Sequence, residues 1–275
     1  MRRCIGHTNT VEGRFYPAET GLFQYIICAQ EESGQKGPQT GLYLACLDEM
    51  NLSQVEHYFS DFMMVAEREG AARVIQCFSA ASVGNHCPFK NWSSVKLSPA
   101  MRFVGTVNFD ETTRLLSDRF LDRVNLIQLR PGKLPALSGQ GSLDPKVKGR
   151  MVTLADFQKW SGGEVLPSNI ASLLDEMRPV LNDLGCPISP RVYRAICRFV
   201  GSCSPLLTPA SAFDTQVAQR LLPRIRSLVT KRQLDALDRL LKLMNQNSSC
   251  SFDETIPLLD EARQTSLGRD WNQDE

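Results

Sequence analysis

Two adjacent acidic residues, Asp48 and Glu49, stand where an apolar run ends. That run, "LYLACL" (residues 42–47), is typical of a strand buried on both faces, and a helical pattern begins at Asn51. An aspartate in this position can hold Mg²⁺ through the water shell of the ion, and the neighbouring glutamate can polarise an attacking water. The pair alone is ambiguous, because acids after a strand also complement the dipole of the helix that follows.

A second polar residue, Asn108, ends another apolar segment, "MRFVGTVN" (residues 101–108), which predicts a second buried strand. Asparagine is common where a strand leads into a turn, so Asn108 by itself is a weak signal. In open α/β sheets, however, ligands bind beyond the carboxyl ends of the strands. The two strand ends together therefore predict one polar site.

The elements that would position this site alternate between strands and helices over the first part of the chain. Helices are predicted at 22–30, from Asn51 onward and at 111–123. The helix from Asn51 has its apolar residues on one side: Leu52, Val55, Phe59, Phe62 and Met63. Further strands are predicted around "RVIQCF" and at 124–129. Residues 31–41 and most of 70–100 are interpreted as loops. After residue 130 the composition shifts to Gly, Pro and Lys, with a short helix capped by Thr153.

The rest of the sequence is helical in pattern. One stripe runs from Ile170 to Leu181, although Pro179 should kink or shorten that helix. Ser189 followed by Pro190 is a helix start, and two further helices follow, the last with Leu234, Leu237, Leu241 and Met244 aligned. The predicted domains are an α/β core at 1–130, a linker at 131–167, a helical subdomain at 168–245 and a loose tail at 246–275.

Composition excludes several classes of protein. Of 275 residues, 42% are hydrophobic and 22% charged, as in folded globular proteins, and the net charge of +1 gives no global attraction to nucleic acid or membrane. There is no apolar run long enough to span a bilayer and no apolar signal-peptide core near the start. Nine scattered cysteines without a C-x-x-C pair indicate reduced thiols and a cytoplasmic location. The spacing of Cys77, His86 and Cys87 fits no zinc motif.

Five segments taken together resemble consecutive blocks of an AAA+ NTPase of the McrB-type, dynein-related branch. They are "IGHTNTVEGRFYPAETGLFQYII", "LDEMNLSQVEHYFSDF", "LSPAMRFVGTVNFDETTRLLSDRFLDRVNLIQL", "ISPRVYRAICRFV" and "FDTQVAQRLLPRIR". The resemblance runs from about residue 5 to residue 230, and the acidic block and "GTVNFDETT" are its most specific parts. It implies an α/β fold with a partial P-loop NTPase-like parallel sheet, whose first strands are missing, followed by an all-helical lid.

The resemblance implies a role for six residues of this sequence. Asp48 would be the Mg²⁺ carboxylate of the Walker B motif, Glu49 the catalytic base, and Asn108 the sensor 1 residue that holds the lytic water. Arg119 or Arg123 would be the arginine finger that serves the nucleotide of the next subunit in a ring, and Arg191 would be sensor 2. Each arginine also has a plain alternative, as a solvated side chain or a partner of a nearby acid such as Asp118 or Asp122.

The sequence departs from this family in two respects. These 275 residues contain no Gly-rich loop ending in Gly-Lys-Ser/Thr; "SGQKGPQTG" and "LSGQGSLDPKVKG" have the wrong spacing and position. We therefore expect little nucleotide affinity from this chain alone, and interpret it as part of a longer protein or as a subunit without a P-loop. McrB-type GTPases carry Asn-Thr-Ala-Asp at sensor 1, whereas this chain has Asn108-Phe109-Asp110-Glu111, which leaves ATP and GTP both open.

Three functions compete on these grounds. The first is the Walker B, sensor and lid portion of a ring-forming NTPase that drives remodelling or DNA translocation, with P-loop-containing subunits and, by analogy, DNA and a nuclease as partners. The second is an inactive AAA+-like subunit that lends an arginine finger to a complete partner. The third is a helical nucleic-acid or scaffold protein that uses the basic residues of 190–245, where acids are interspersed and no aromatic stacking pattern occurs.

Overall fold

The computed structural model describes the chain in six stretches: residues 5–68, 70–108, 113–129, 151–160, 163–225 and 230–270. These residues form two compact units, each with its own buried core. The first unit contains the described residues up to Leu116 together with 151–159, and the second contains 117–129 and the residues from Trp160 onward. Within the described stretches, no helix combines the length and the apolar character needed to cross a bilayer.

The fold is mixed α/β, with short strands in the first unit and helices in both. The strands are β1 (Gly6–Asn9), β2 (Arg14–Pro17), β3 (Tyr43–Leu47), β4 (Val74–Gln76), β5 (Ser94–Lys96) and β6 (Met101–Gly105). The helices are α1 (Leu22–Lys36), α2 (Val55–Ala66), α3 (Asp118–Leu121), α4 (Leu154–Lys159), α5 (Ser168–Asp183), α6 (Pro190–Gly201), α7 (Pro209–Gln216), α8 (Lys231–Gln246) and α9 (Thr255–Asp270). Of these, α1, α2 and α4 belong to the first unit.

The strands pair in three small sheets. β1–β2 and β4–β5 are antiparallel, whereas β3 and β6 pair in parallel with Tyr43 opposite Met101 and Leu47 opposite Gly105. The predicted strands at 42–47, 101–108 and around "RVIQCF" are therefore confirmed, with β6 ending at Gly105. β5 lies in a region that the sequence predicted to be loop.

One face of the parallel pair is covered, and the other is open at Leu44, Cys46 and Val104. Opposite residues of a parallel pair share a face, and on the covered face the Tyr43 ring packs against Tyr25 of α1 while Phe103 contacts Phe59 of α2, each with ring centroids 5.1 Å apart. On the other face Leu44 is 59% and Val104 48% exposed. The prediction that residues 42–47 are buried on both faces is wrong, because an apolar run does not encode which neighbours cover it.

Local signals set several helix ends in the first unit. α1 extends to Lys36, through residues predicted as loop, and Glu32 and Lys36 form an ion pair one turn apart, at 3.0 Å. It ends at Gly37, whose φ of 52° and ψ of −125° form a combination that residues with a Cβ rarely adopt. Thr153 caps α4 as predicted, since its hydroxyl accepts a hydrogen bond from the Asp156 backbone N–H at 3.1 Å.

The second unit is a helical bundle around a core that includes Leu173, Leu174, Val192, Ile196 and Phe213. The predicted start of α6 is confirmed, because the Ser189 hydroxyl accepts from the Val192 N–H. α5 is not shortened by Pro179, which occupies an exposed position within the helix. A π-helical turn (Val217–Leu221) and a 3₁₀ turn (Leu222–Arg224) follow α7.

Two predictions for the segment where the second unit begins are wrong. Residues 113–117 are not helical, and the helix begins only at Asp118, where the Ser117 hydroxyl caps it by accepting from Phe120 N–H at 3.2 Å. Residues 124–129 form no strand, because the Leu126 N–H donates instead to the Gln219 carbonyl at 3.0 Å.

The expected loose tail at 246–275 contains α9, and the boundary drawn at 130 crosses the second unit. The buried Asp214 carboxylate accepts hydrogen bonds from the Glu254 and Thr255 N–H groups at the start of α9. This cap comes from a residue about forty positions away in the sequence, so no local pattern predicts where α9 begins.

Candidate functional site at the ends of the parallel strands

The parallel pairing places the ends of β3 and β6 next to each other. Beyond the last strand pair, Thr106 N–H donates to the Leu47 carbonyl at 3.0 Å and Met50 N–H donates to the Thr106 carbonyl at 2.8 Å. The chain segments that leave the two strands are therefore fixed to each other by backbone hydrogen bonds. This is the edge of the sheet at which the sequence predicted a polar site.

Asp48 and Glu49 are joined to the end of β6 through one hydroxyl group. The Thr106 Oγ1 donates to Asp48 Oδ1 at 2.5 Å and accepts from the Glu49 backbone N–H at 2.8 Å. Both acidic side chains are exposed. The hydroxyl thus orients the carboxylate of Asp48 and the backbone of Glu49 while leaving both residues open to solvent.

Glu49 has an unusual backbone conformation. Its φ of 51° and ψ of 46° are left-handed, and it is the only non-glycine residue with positive φ among the described residues. This conformation costs an L-residue about 1 kcal/mol, and such residues cluster at functional sites. The sharp reversal that it produces turns the chain from the end of β3 into the 3₁₀ turn Met50–Leu52.

Asn108 is held by Asn51, a residue that the sequence interpretation treated only as the start of a helix. Asn51 is 1% exposed, and its amide group accepts from the Asn108 N–H at 3.1 Å and donates to the Asn108 carbonyl at 2.6 Å. The Asn108 side chain is exposed. The structure therefore brings Asp48, Glu49 and Asn108 together at one end of the sheet.

The same asparagine also fixes Arg114, which the sequence analysis did not select. Asn51 donates from its side chain to the Arg114 carbonyl at 3.1 Å and accepts from the Arg114 N–H at its own carbonyl at 2.8 Å. Thr113 Oγ1 adds a hydrogen bond to the Asn108 carbonyl at 2.8 Å. The backbone of an exposed arginine is thereby held beside Asn108. Asn51 is the sequence signal for this arrangement. A chain that leaves a strand must satisfy its unpaired backbone N–H and C=O groups, and an asparagine side chain next to the strand end can do so.

The three other predicted arginines belong to the second unit. Arg119 is exposed on α3, and its carbonyl accepts from Arg123 Nη1 at 2.7 Å. Arg191 is the second residue of α6 and is exposed. The roles of Arg119, Arg123 and Arg191 toward a nucleotide remain predictions.

The residues at the strand ends fit a magnesium ion. Mg²⁺ keeps several water ligands and is usually held by one or two carboxylates together with substrate phosphates, so a single exposed aspartate with a fixed orientation suits it. The described residues contain no group of three or more His, Cys, Asp or Glu side chains placed to hold a metal. Cys77 is half-buried, and burial raises its pKa to about 12.

The structure describes only one of the two Gly-rich segments that were compared with a phosphate-binding loop. "SGQKGPQTG" forms the end of α1 and the 3₁₀ turn Gly37–Gln39. "LSGQGSLDPKVKG" lies outside the described residues.

Comparison with known proteins gives one match. A family model described as a domain of unknown function (DUF8727) matches residues 134–266, slightly less than half of the chain. No curated protein and no solved structure matches the chain. The matched segment covers most of the helical unit and leaves out the strand ends that carry Asp48, Glu49 and Asn108.

Proposed function

We propose that this chain supplies the metal-binding, water-activating and nucleotide-sensing residues of a ring-forming AAA+ NTPase that hydrolyses ATP or GTP. One observation carries the proposal: Thr106 and Asn51 tie Asp48, Glu49 and Asn108 together at the carboxyl end of a parallel strand pair. Ligands of open α/β sheets bind at this edge. The sequence blocks described above supply the choice of family.

In this proposal each residue at the strand ends has its own task. Asp48 holds a hydrated Mg²⁺ ion, which would neutralise charge on the phosphate oxygens. Glu49 accepts a proton from the attacking water, and the left-handed backbone fixes where its side chain begins. Asn108 orients that water through its exposed amide group. Thr106 and Asn51 are positioning residues, because they act through Asp48, Glu49 and Asn108.

The second unit is proposed as the lid. Arg191 at the start of α6 would sense the nucleotide, and Arg119 or Arg123 would act on the nucleotide of the adjacent subunit. The phosphate loop would come from a different polypeptide segment, since these 275 residues contain no Gly-Lys-Ser/Thr loop. Hydrolysis would drive remodelling or DNA translocation. The proposed location is the cytoplasm, since the eight described cysteines are all free thiols.

The open face of the β3–β6 pair favours a second candidate, a subunit that only assembles with a complete NTPase and lends it an arginine finger. Leu44 and Val104 lie on this face with Cys46, and all three are exposed. Parallel strands are normally covered on both faces, so a surface of this kind is suited to association.

One reconstitution experiment tests both candidates. The full chain is mixed with a P-loop-bearing AAA+ polypeptide that co-purifies with it from its own cells, and turnover of ATP and GTP with Mg²⁺ is measured. If the chain supplies the base, Glu49→Gln lowers the rate about a hundredfold or more, while Glu31→Gln on the exposed side of α1 leaves it unchanged.

The arginine variants separate the two candidates. If the chain lends only an arginine finger, Glu49→Gln has no effect on turnover. In that case Arg119→Ala or Arg123→Ala removes the increase in turnover that the chain gives to its partner. If none of the three variants changes the turnover, both functions are wrong.

A further inference from the structure

Two arginines of the helical unit converge on one aspartate. Arg224 Nη1 lies 3.3 Å from Asp122 Oδ1, and Arg220 Nη1 lies 3.5 Å from the Asp122 backbone carbonyl. The Arg224 side chain is 7% exposed and that of Asp122 is 20% exposed. A half-buried group of charges therefore lies where α3 meets the 3₁₀ turn Leu222–Arg224.

The local fold explains how these arginines are brought inward. After α7 the helix widens into a π-helical turn and then tightens into a 3₁₀ turn, and such changes of pitch are often found at functional sites. The buried Gln216 side chain accepts from Arg220 Nε at 3.1 Å and donates to Asn125 Oδ1 at 3.4 Å. The segment after α3 is thereby fastened to the turn that carries both arginines.

The hydrogen-bond donors of this group are incompletely satisfied. Arg224 Nε is buried without a hydrogen bond, and Arg224 Nη1 faces Asp122 Oδ1 as an ion pair at 3.3 Å that is not a hydrogen bond. Asp122 Oδ1 is likewise buried without a hydrogen bond. Asp122 meets only one side of the Arg224 guanidinium group, and a buried donor left without an acceptor is costly, so a further acceptor would stabilise this group.

The balance of charge points the same way. The two contacting segments carry four arginines and two aspartates, a formal net charge of +2: Asp118, Arg119, Asp122, Arg123, Arg220 and Arg224. Burial lowers the pKa of Arg220, and the Asp122 carboxylate offsets this in part. The nearby Cys186 thiol adds no negative charge at neutral pH, because burial raises its pKa to about 11.

We propose that Arg220 and Arg224 form a binding site for a phosphate group, either free phosphate or the phosphate of a nucleotide. A phosphate dianion matches the net charge of the two segments and offers enough acceptor oxygens for the donors of both guanidinium groups. Asp122 holds the two arginines in place. Arg220 is half-buried and forms the solvent-facing side of the site. All three residues of this site belong to the second unit.

Titration calorimetry of the full chain tests the proposal. Inorganic phosphate, adenosine monophosphate and adenosine are titrated separately, with chloride adjusting each solution to the same ionic strength. Wild-type protein should bind phosphate saturably, and Arg220→Gln should weaken binding about tenfold or more, since a charge-assisted hydrogen bond is lost. Adenosine monophosphate binding more tightly than phosphate, with the same dependence on Arg220, identifies a nucleotide phosphate as the ligand; equal binding identifies free phosphate.

Two control variants make the result specific. Arg198→Gln changes an exposed arginine of α6 that pairs with Glu164, and it should leave phosphate binding unchanged. Asp48→Asn separates the two sites: phosphate binding that is lost in Asp48→Asn but kept in Arg220→Gln belongs to the strand ends and overturns the proposal.

The proposal is overturned if wild-type protein shows no saturable binding of phosphate. It is also overturned if Arg198→Gln weakens binding as much as Arg220→Gln does. If Arg220→Gln does not fold, Arg220→Lys takes its place, because lysine keeps the charge but loses the planar pair of donors, and undiminished phosphate binding in that variant overturns the proposal.

Discussion

The hydroxyl of Thr106 connects the ends of two parallel strands by donating to the Asp48 carboxylate and accepting from the Glu49 N–H. Replacing this hydroxyl with a methyl group removes both hydrogen bonds with little change in shape. We expect Thr106→Val to lower the free energy of unfolding of the first unit by about 1 kcal/mol, because the site is exposed to water. Thr106→Ser, which keeps the hydroxyl, should retain most of that stability. The stability of both variants is measured by urea unfolding, with amide hydrogen exchange in β3 as the probe. Equal stability of Thr106→Val and Thr106→Ser would show that the hydroxyl does not connect the strand ends.

Asn51 should be more important for stability than Thr106. Asn51→Ala removes the side-chain partner of the Asn108 N–H and of the Arg114 carbonyl, and it leaves the Asn108 carbonyl with Thr113 Oγ1 alone. We expect a loss of about 2–4 kcal/mol in the free energy of unfolding. The control is Asn245→Ala, which removes one hydrogen bond at an exposed position of α8 and should cost less than about 0.5 kcal/mol. A similar urea midpoint for both variants would show that Asn51 does not hold the strand ends together.

The left-handed backbone at Glu49 predicts an unusual response to glycine. Glu49→Gly should leave stability unchanged or raise it by up to about 1 kcal/mol, because glycine adopts positive φ without strain. Glu49→Val should lower it by about 1–2 kcal/mol, since a β-branched side chain disfavours this region. At Glu31 within α1 the effect of glycine is the opposite, and Glu31→Gly should lower stability by about 1 kcal/mol. Thermal unfolding of the four proteins, wild type included, measures the series; destabilisation by Glu49→Gly would mean that the residue is not strained.

Cysteine alkylation tests how the parallel pair is covered. Cys46 lies on the open face and Cys28 is also exposed, so iodoacetamide at pH 8 should modify both early. Cys77 and Cys186 should react at least about a hundredfold more slowly, because burial raises their pKa to about 12 and about 11 and leaves little thiolate at that pH. Mass spectrometry of the digested protein gives each rate. Slow modification of Cys46, compared with Cys28, would show that the face is covered in solution.

The sequence predicted the parts of the fold that depend on neighbouring residues. Ser189 with Pro190 and Thr153 with Asp156 are local caps, and both were found where predicted. Asp48 and Glu49 could be selected for the same reason, because they stand directly after an apolar run.

Contacts between distant segments decided the rest. The exposure of Leu44 depends on what covers β3, and the absence of a strand at 124–129 depends on the Gln219 carbonyl. Asn51, Thr106 and Arg114 escaped notice because their contacts join residues about sixty positions apart. No periodicity in a single sequence carries that information.

In the proposed function, Asp48, Glu49 and Asn108 surround one bound metal–nucleotide complex. Paramagnetic broadening in the amide NMR spectrum of the full chain, titrated with Mn²⁺ and ATP or GTP, tests this arrangement; because the chain alone should bind nucleotide weakly, the nucleotide is millimolar, and broadening detects the small bound fraction. We expect selective broadening of the Glu49, Thr106 and Asn108 amides, and its loss in Asp48→Asn. Broadening at other residues only, or broadening at these three that persists in Asp48→Asn, would contradict it.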